Sequence, residues 1–217
     1  MIRVFIGFDP RQPLAFNVCA SSIVRAASKP VAITALTLKT LPIKRQGLTQ
    51  FTYSRFLVPH LCNYEGRAIF MDADVVVDGD IAELFDAADP EAAVSVVKNV
   101  RRFEWPSVMV FNNELCRELT PELIESRERD PFAFGWANKV GELPTEWNHL
   151  VGYDKADKEP KLLHYTQGIP CWPETEGCEY ANNWHSEHSF MNSTVAYADL
   201  MGSSVHHKHV KARLKAA

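Results

Sequence analysis

The chain lacks any apolar run long enough to span a bilayer, and its first apolar stretch, Ile2 to Phe8, stops at Asp9-Pro10-Arg11, too soon for a signal peptide. The expected location is therefore cytoplasmic, without an integral membrane span. Cysteine is sparse and unpatterned. Cys19, Cys62, Cys116, Cys171 and Cys178 are odd in number and form no Cys-x-x-Cys pair, which fits reduced thiols rather than a disulfide framework. Positive charge is not in excess either: 23 Lys and Arg against 27 Asp and Glu leave a net charge of -4, giving no reason to expect nucleic acid as a partner. No Gly-x-Gly-x-x-Gly and no P-loop lysine follows the first strand, so a dinucleotide fingerprint and an NTPase are both unsupported. Internal repeats and low-complexity linkers are missing as well. With 217 residues, 46% hydrophobic and 23% charged, the expectation is one soluble globular domain spanning 1–217.

What is present centres on Arg67-Ala-Ile-Phe-Met-Asp-Ala-Asp-Val-Val-Val-Asp-Gly-Asp80. Ala68 to Met71 reads as a short buried strand ending on Asp72 and Asp74, whose spacing puts both carboxylates on one face if the extended backbone continues. Two carboxylates about 4 Å apart repel by roughly 4 kcal/mol at an effective dielectric near 20, so a divalent cation with oxygen ligands is the natural occupant between them. An isolated Asp-x-Asp is also what a solvated strand end looks like. A second metal-like set, Cys171, Cys178, His185 and His188, has gaps too wide between the cysteines and too tight between the histidines for a usual structural zinc site.

Around this stretch the pattern alternates. Ile2 to Phe8 is a strand, Leu14 to Ala27 carries helical spacing closed by Pro30, and Val31 to Leu38 is a second strand, a β-α-β opening that implies a parallel pair. Phe8 and Asp9 then lie at a strand's carboxyl end, where ligands bind in open α/β sheets. Thr52 to Leu61 reads as a helix. Its Arg55 is either a solvated charge, a donor to phosphate or sugar, or a clamp on the second aspartate. Asp80 is expected to cap a helix, with Glu83 at the capping-box position. Ala92 to Val97 and Ser107 to Asn112 are further strands, Thr120-Pro121 opens a helix, Glu142 to Asn148 is turn-like, and Lys161 to Thr166 is a late strand ending near His164. The remainder has little periodicity.

Tyr53-Ser-Arg-Phe, Ala68-Ile-Phe-Met-Asp-Ala-Asp74, Gly79-Asp-Ile-Ala-Glu-Leu-Phe85, Leu143-Pro-Thr-Glu-Trp-Asn148 and His164-Tyr-Thr-Gln-Gly168 with Pro170 and Trp172, taken in order, resemble family 8 glycosyltransferases. The resemblance implies an α/β GT-A fold, Rossmann-like, with a mostly parallel central sheet. It also implies transfer of a sugar from a nucleotide sugar, usually a UDP-sugar, with retention, to a glycan, lipid or protein acceptor that the residues do not identify. It makes Asp72, Asp74 and His164 the ligands of Mn2+ (or Mg2+). It puts Phe8 and Asp9 against nucleobase and ribose, lets backbone approach the phosphates at Gly168, and includes Tyr53 and Arg55 in the donor site. No catalytic nucleophile is identified. The chain departs from the family pattern ahead of Ser107, in Phe132 to Lys139, which lacks the expected acids, and at Ile169-Pro-Cys-Trp172, which lacks a lysine.

Two other readings compete. A haloacid-dehalogenase-like phosphatase would use Asp72 as nucleophile and Asp74 as general acid with magnesium, but it needs that motif on the first strand and an acidic pair far downstream. A nucleotide-sugar or glycan binding module without turnover is the non-catalytic alternative. Trp105, Trp136, Trp147, Trp172 and Trp184 serve as core or as stacking rings, and the basic, histidine-rich tail from Val205 to Lys215 reads as a solvated end.

Overall fold

The structure, a computed structural model, describes residues 1–98, 106–155 and 159–216. β1 (Ile2–Phe8) is followed by α1 (Pro13–Ala26), which starts on a proline where a missing N–H costs nothing, and by β2 (Val31–Thr37). Then come a short helix α2 (Val58–Leu61), β3 (Arg67–Met71), β4 (Val75–Val77), α3 (Ile81–Ala87), β5 (Val94–Val97) and β6 (Val108–Asn112). The rest comprises α4 (Pro121–Glu125), β7 (Val140–Leu143), β8 (His149–Leu150), β9 (Leu162–His164), α5 (Ala181–Met191), α6 (Tyr197–Met201) and α7 (Val205–Ala216).

Six strands form the main sheet in the order β2-β1-β3-β6-β5-β7. Five run the same way and β6 runs against them, antiparallel to both β3 and β5. The expected mostly parallel α/β sheet is what forms. A second sheet, β4-β9-β8, lies under α1 and receives the chain after the acidic pair. Alternation sorts the core into two layers. Val4, Ile6, Ile69 and Met71 face Val18 and Ile23 of α1, while Phe5, Ala68 and Phe70 face Phe56, Leu57 and Trp136. Each of the Val, Leu, Ile, Phe and Met side chains among them, once withdrawn from water, contributes about 1.5–3 kcal/mol, and both layers hold the central strands rigid where they end.

Three local expectations are corrected. Thr52 to Leu61 is a 3-10 turn, Ser54–Leu57, running into a single α-helical turn, because Pro59 has no N–H to give the carbonyl four residues back. Glu142 and Leu143 belong to edge strand β7, paired with β5, and only Thr145–Trp147 is a turn. The aperiodic end is helical: α5 buries just Trp184 and Glu187, so its sequence carries almost no apolar stripe. The Asp80 cap holds, its carboxylate accepting from Ala82 N at 3.0 Å, but Glu83 pairs with Lys161 instead of completing a capping box. Trp105 lies outside the described residues.

Candidate metal and nucleotide site

Parallel strands deliver their carboxyl ends to one rim of the sheet, and the candidate residues gather there. β1 ends at Phe8 and leads to Asp9, while β3 ends at Met71 and leads to Asp72 and Asp74. Reversed β6 begins at the same rim, so Ser107 stands beside the acids and its carbonyl accepts from Asp72 N at 2.8 Å. Antiparallel pairing of β4 and β9 sets His164 opposite Val75, and Tyr165 N donates to the Asp74 carbonyl at 2.9 Å. The backbone of both aspartates is therefore fixed by strands distant in sequence.

Ligand atoms of Asp72, Asp74 and His164 lie within 4.8 Å of one another, the one such group of three or more among the described residues. Asp72 Oδ1 sits 3.0 Å from Arg55 Nη2, and Asp74 Oδ1 sits 3.4 Å from His164 Nε2. Both oxygens are buried, yet neither contact has hydrogen-bond geometry. Burial pushes the Asp72 carboxyl up to about 6, with Arg55 pulling down and Asp74 pushing further up. For Asp74, burial is the largest single influence and pushes up, but His164, a backbone hydrogen bond and Arg55 together outweigh it and the net direction is down. Burial is the largest single influence on His164 and pushes it down, but the attraction of Asp74 and the smaller one of Asp72 together carry the net direction up. Its Nδ1 lies 3.2 Å from Asn148 Oδ1 and 3.0 Å from Ser107 Oγ. With Nδ1–H donated to Asn148, loss of the Nε2 proton, which the acids otherwise favour, leaves a lone pair aimed at the acidic pair. Two buried carboxylate oxygens that make ion-pair contacts without hydrogen-bond geometry, and an imidazole nitrogen facing them, are a donor set that fits a divalent cation, and mixed oxygen and nitrogen ligation suits manganese.

Asp74 opens into a cleft of about 240 Å³ whose other walls include Asp9, Arg11, Phe51, Gln167, Gly168 and Trp172. Asp9 is buried and held by Arg11, whose hydrogen bond draws its carboxyl below the usual range against the opposing effect of burial. Phe8 packs edge-on against Phe16 at 5.4 Å. Gly168 has φ +123°, and a Cβ there would meet the Trp172 ring at 2.6 Å, so its bareness makes room for that indole. Tyr53 is set back, with the Arg45 guanidinium 3.8 Å from its ring centroid and Phe132 edge-on at 5.8 Å. Arg55 meets the first aspartate, not the second. Its Nε and Nη1 donate to the Thr52 and Pro106 carbonyls at 3.0 and 2.7 Å.

The zinc set is not brought together among the described residues: Trp184 stacks on His188 and meets His185 edge-on instead. Trp136, Trp147 and Trp184 are core, whereas Trp172 is 36% exposed on the cleft. Sequence reasoning passed over Ser107 and Asn148 as partners of His164. The one available signal was the asparagine closing Leu143-Pro-Thr-Glu-Trp-Asn148.

Residues 8–118 match the profile described as "Glycosyl transferase family 8". "Protein CDI" of Arabidopsis thaliana is 32% identical, over 85% of this chain and 85% of that protein. Among solved structures, the galactosyltransferase LgtC with donor and acceptor sugar analogues superposes with a TM-score of 0.62 at 10% identity, covering 91% of this chain and 99% of that one. The WbbM bifunctional glycosyltransferase gives 0.63 at 16% identity over 87% of this chain. The chain spans about half, 49%, of that longer protein.

Proposed function

The chain belongs to glycosyl transferase family 8 and has a GT-A fold, and from that premise we propose that it is a metal-dependent transferase that takes its sugar from a UDP-sugar, with retention at the anomeric carbon. The family sets the phosphatase reading aside. The carrying observation is the convergence of Asp72, Asp74 and His164 within 4.8 Å, with two buried carboxylate oxygens that make no hydrogen bond of good geometry. A divalent ion bound there supplies Lewis-acid stabilisation of the diphosphate as the bond to the anomeric carbon breaks.

The chain's own residues prepare that site. Arg55 opposes the burial that would protonate Asp72, keeping it ionised above about pH 6. Asn148 and Ser107 orient His164 so that Nε2 faces the acids. Phe51, Ile169 and Trp172 supply the cleft's apolar surface for a nucleoside, and Asp9 its buried acceptor. Retention rests on the family resemblance. The same reading takes 1–217 as one unit acting in the cytoplasm, with five unpaired cysteines in support and no helix among the described residues long and apolar enough to cross a membrane. The acceptor, a glycan, lipid or protein, is open.

The test is UDP release across a donor panel with Mn2+, repeated in chelator and with Asp74→Asn. One UDP-sugar should give turnover that chelation abolishes and Asp74→Asn lowers by at least about 100-fold. Binding of UDP without turnover on any donor would make the protein a binding module instead.

A further inference from the structure

The cleft between Asp9, Asp74 and Gly168 contains one cationic side chain among the described residues, Arg11. The opposite wall, from Thr166 to Ile169 with Trp172, carries no charge. Arg55 is close but spent, since each of its three nitrogens faces a protein oxygen and its side chain is 8% exposed. Arg11 is the reverse case, with a side chain 69% exposed. Nε and Nη2 hold Asp9, at 2.9 Å from Nε to Oδ1, and Nη1 has no partner among the described residues. Asp9 itself is anchored at the end of β1, where its Oδ1 also accepts from Arg11 N at 3.0 Å. A guanidinium gripped along its Nε edge presents its Nη1 edge in a fixed direction, the arrangement suited to a second oxyanion.

The charges around the cleft narrow what that oxyanion is. Asp72 and Asp74 offset the charge of a divalent ion and Asp9 offsets that of Arg11, which leaves the open positions of the ion and the Nη1 edge of Arg11 to meet a ligand's negative charge. A nucleoside diphosphate sugar brings negative charge into a cleft where, among the described residues, the uncommitted N–H edge on a cation is that of Arg11. We propose that Arg11 grips the donor's diphosphate through its Nη1 edge while Asp9 holds the Nε edge, making the Asp9–Arg11 pair the phosphate-selective element of the site. This rests on the nucleotide-sugar reading above.

The test is calorimetric binding, with Mn2+ present, of UDP, GDP, ADP and CDP and of the matching nucleosides to wild type, Arg11→Ala and Arg11→Lys. Because Arg11 is largely exposed, the variants should fold, and thermal unfolding checks this. For the diphosphate that wild type binds, Arg11→Ala should lose about tenfold or more in affinity, the matching nucleoside should change less than about twofold, and Arg11→Lys should recover part of the loss. Equal diphosphate affinity in wild type and Arg11→Ala overturns the proposal. So does a parallel loss for diphosphate and nucleoside, which would assign Arg11 to the base or ribose. Failure of wild type to bind any of the four diphosphates would instead sink the nucleotide-sugar reading, and the proposal with it.

Discussion

Arg55 Nη2 stands 3.0 Å from Asp72 Oδ1, with the two side chains 8% and 13% exposed, and the same guanidinium ties down the carbonyls of Thr52 and Pro106. Replacing it with alanine strands two acceptors and a buried carboxylate, a loss of about 3 kcal/mol. It also lets the Asp72 pKa climb above about 6, since burial is then less opposed. Arg55→Ala should therefore melt at lower temperature and shift the acid limb of activity to higher pH, whereas Arg55→Lys should keep more of the pH profile than of the stability. An unchanged acid limb in Arg55→Ala would refute the link.

Asp72 makes metal-free protein pay at neutral pH. Its folded pKa of about 6 lies above the ordinary 3.8, so its stabilising contribution is complete below 3.8 and is lost as pH rises through about 6. In chelator, wild type should lose about 1–2 kcal/mol relative to Asp72→Asn between about pH 5 and about pH 7.5. Urea unfolding of both proteins at both pH values measures the difference, and added Mn2+ should remove it for wild type. A difference of the opposite sign would show that Asp72 is not held high.

Asn148 acts on the metal site through His164 Nδ1, at 3.2 Å. Asn148→Ala should weaken Mn2+ binding by about 10-fold or more without touching a ligand directly. Metal titration followed by calorimetry reads this. Wild-type affinity in the variant would mean that Ser107 alone sets the tautomer.

Gly168→Ala combines backbone strain at φ +123° with a Cβ 2.6 Å from the Trp172 ring. The expected cost is about 1–3 kcal/mol in stability, accompanied by a weaker donor KM as the indole is displaced from the cleft wall. A thermal melt and a donor titration separate the two effects. A variant as stable as wild type would show that the loop relaxes freely.

Glu187 offers a control far from the chemistry. Its side chain, 1% exposed, takes Arg25 Nε at 2.6 Å and Ser21 Oγ at 2.7 Å, and so fastens α5 to α1. Glu187→Ala should lower stability by about 2 kcal/mol, less than for a fully buried pair because Arg25 is 42% exposed and can be rehydrated. Mn2+ affinity should stay as in wild type.

The opening β1-α1-β2 unit, the strand before Asp72 and the caps at Asp80 and Thr120 were legible in the sequence because each is governed by local periodicity or a local hydrogen bond. Helix α5 was not, since a buried glutamate reads as a surface residue until its arginine is known. Arg55 was left open between a solvated charge, a donor to phosphate or sugar and a clamp on the second aspartate, and only the three-dimensional path of the 3-10 turn decides that it meets the first, Asp72. Ser107 and Asn148 were hidden for a related reason: their convergence on His164 depends on the direction of β6 and on a second sheet, neither of which a residue pattern specifies.

Strand β6, alone in running backwards through the main sheet, couples chemistry to alignment. Sliding it by one residue along β3 would exchange its two faces, send Ser107 away from the imidazole and break the bond from Asp72 N. Mispaired chains would thus be catalytically silent even if compact, and the fraction of a refolded sample that regains metal affinity would count the correctly threaded molecules.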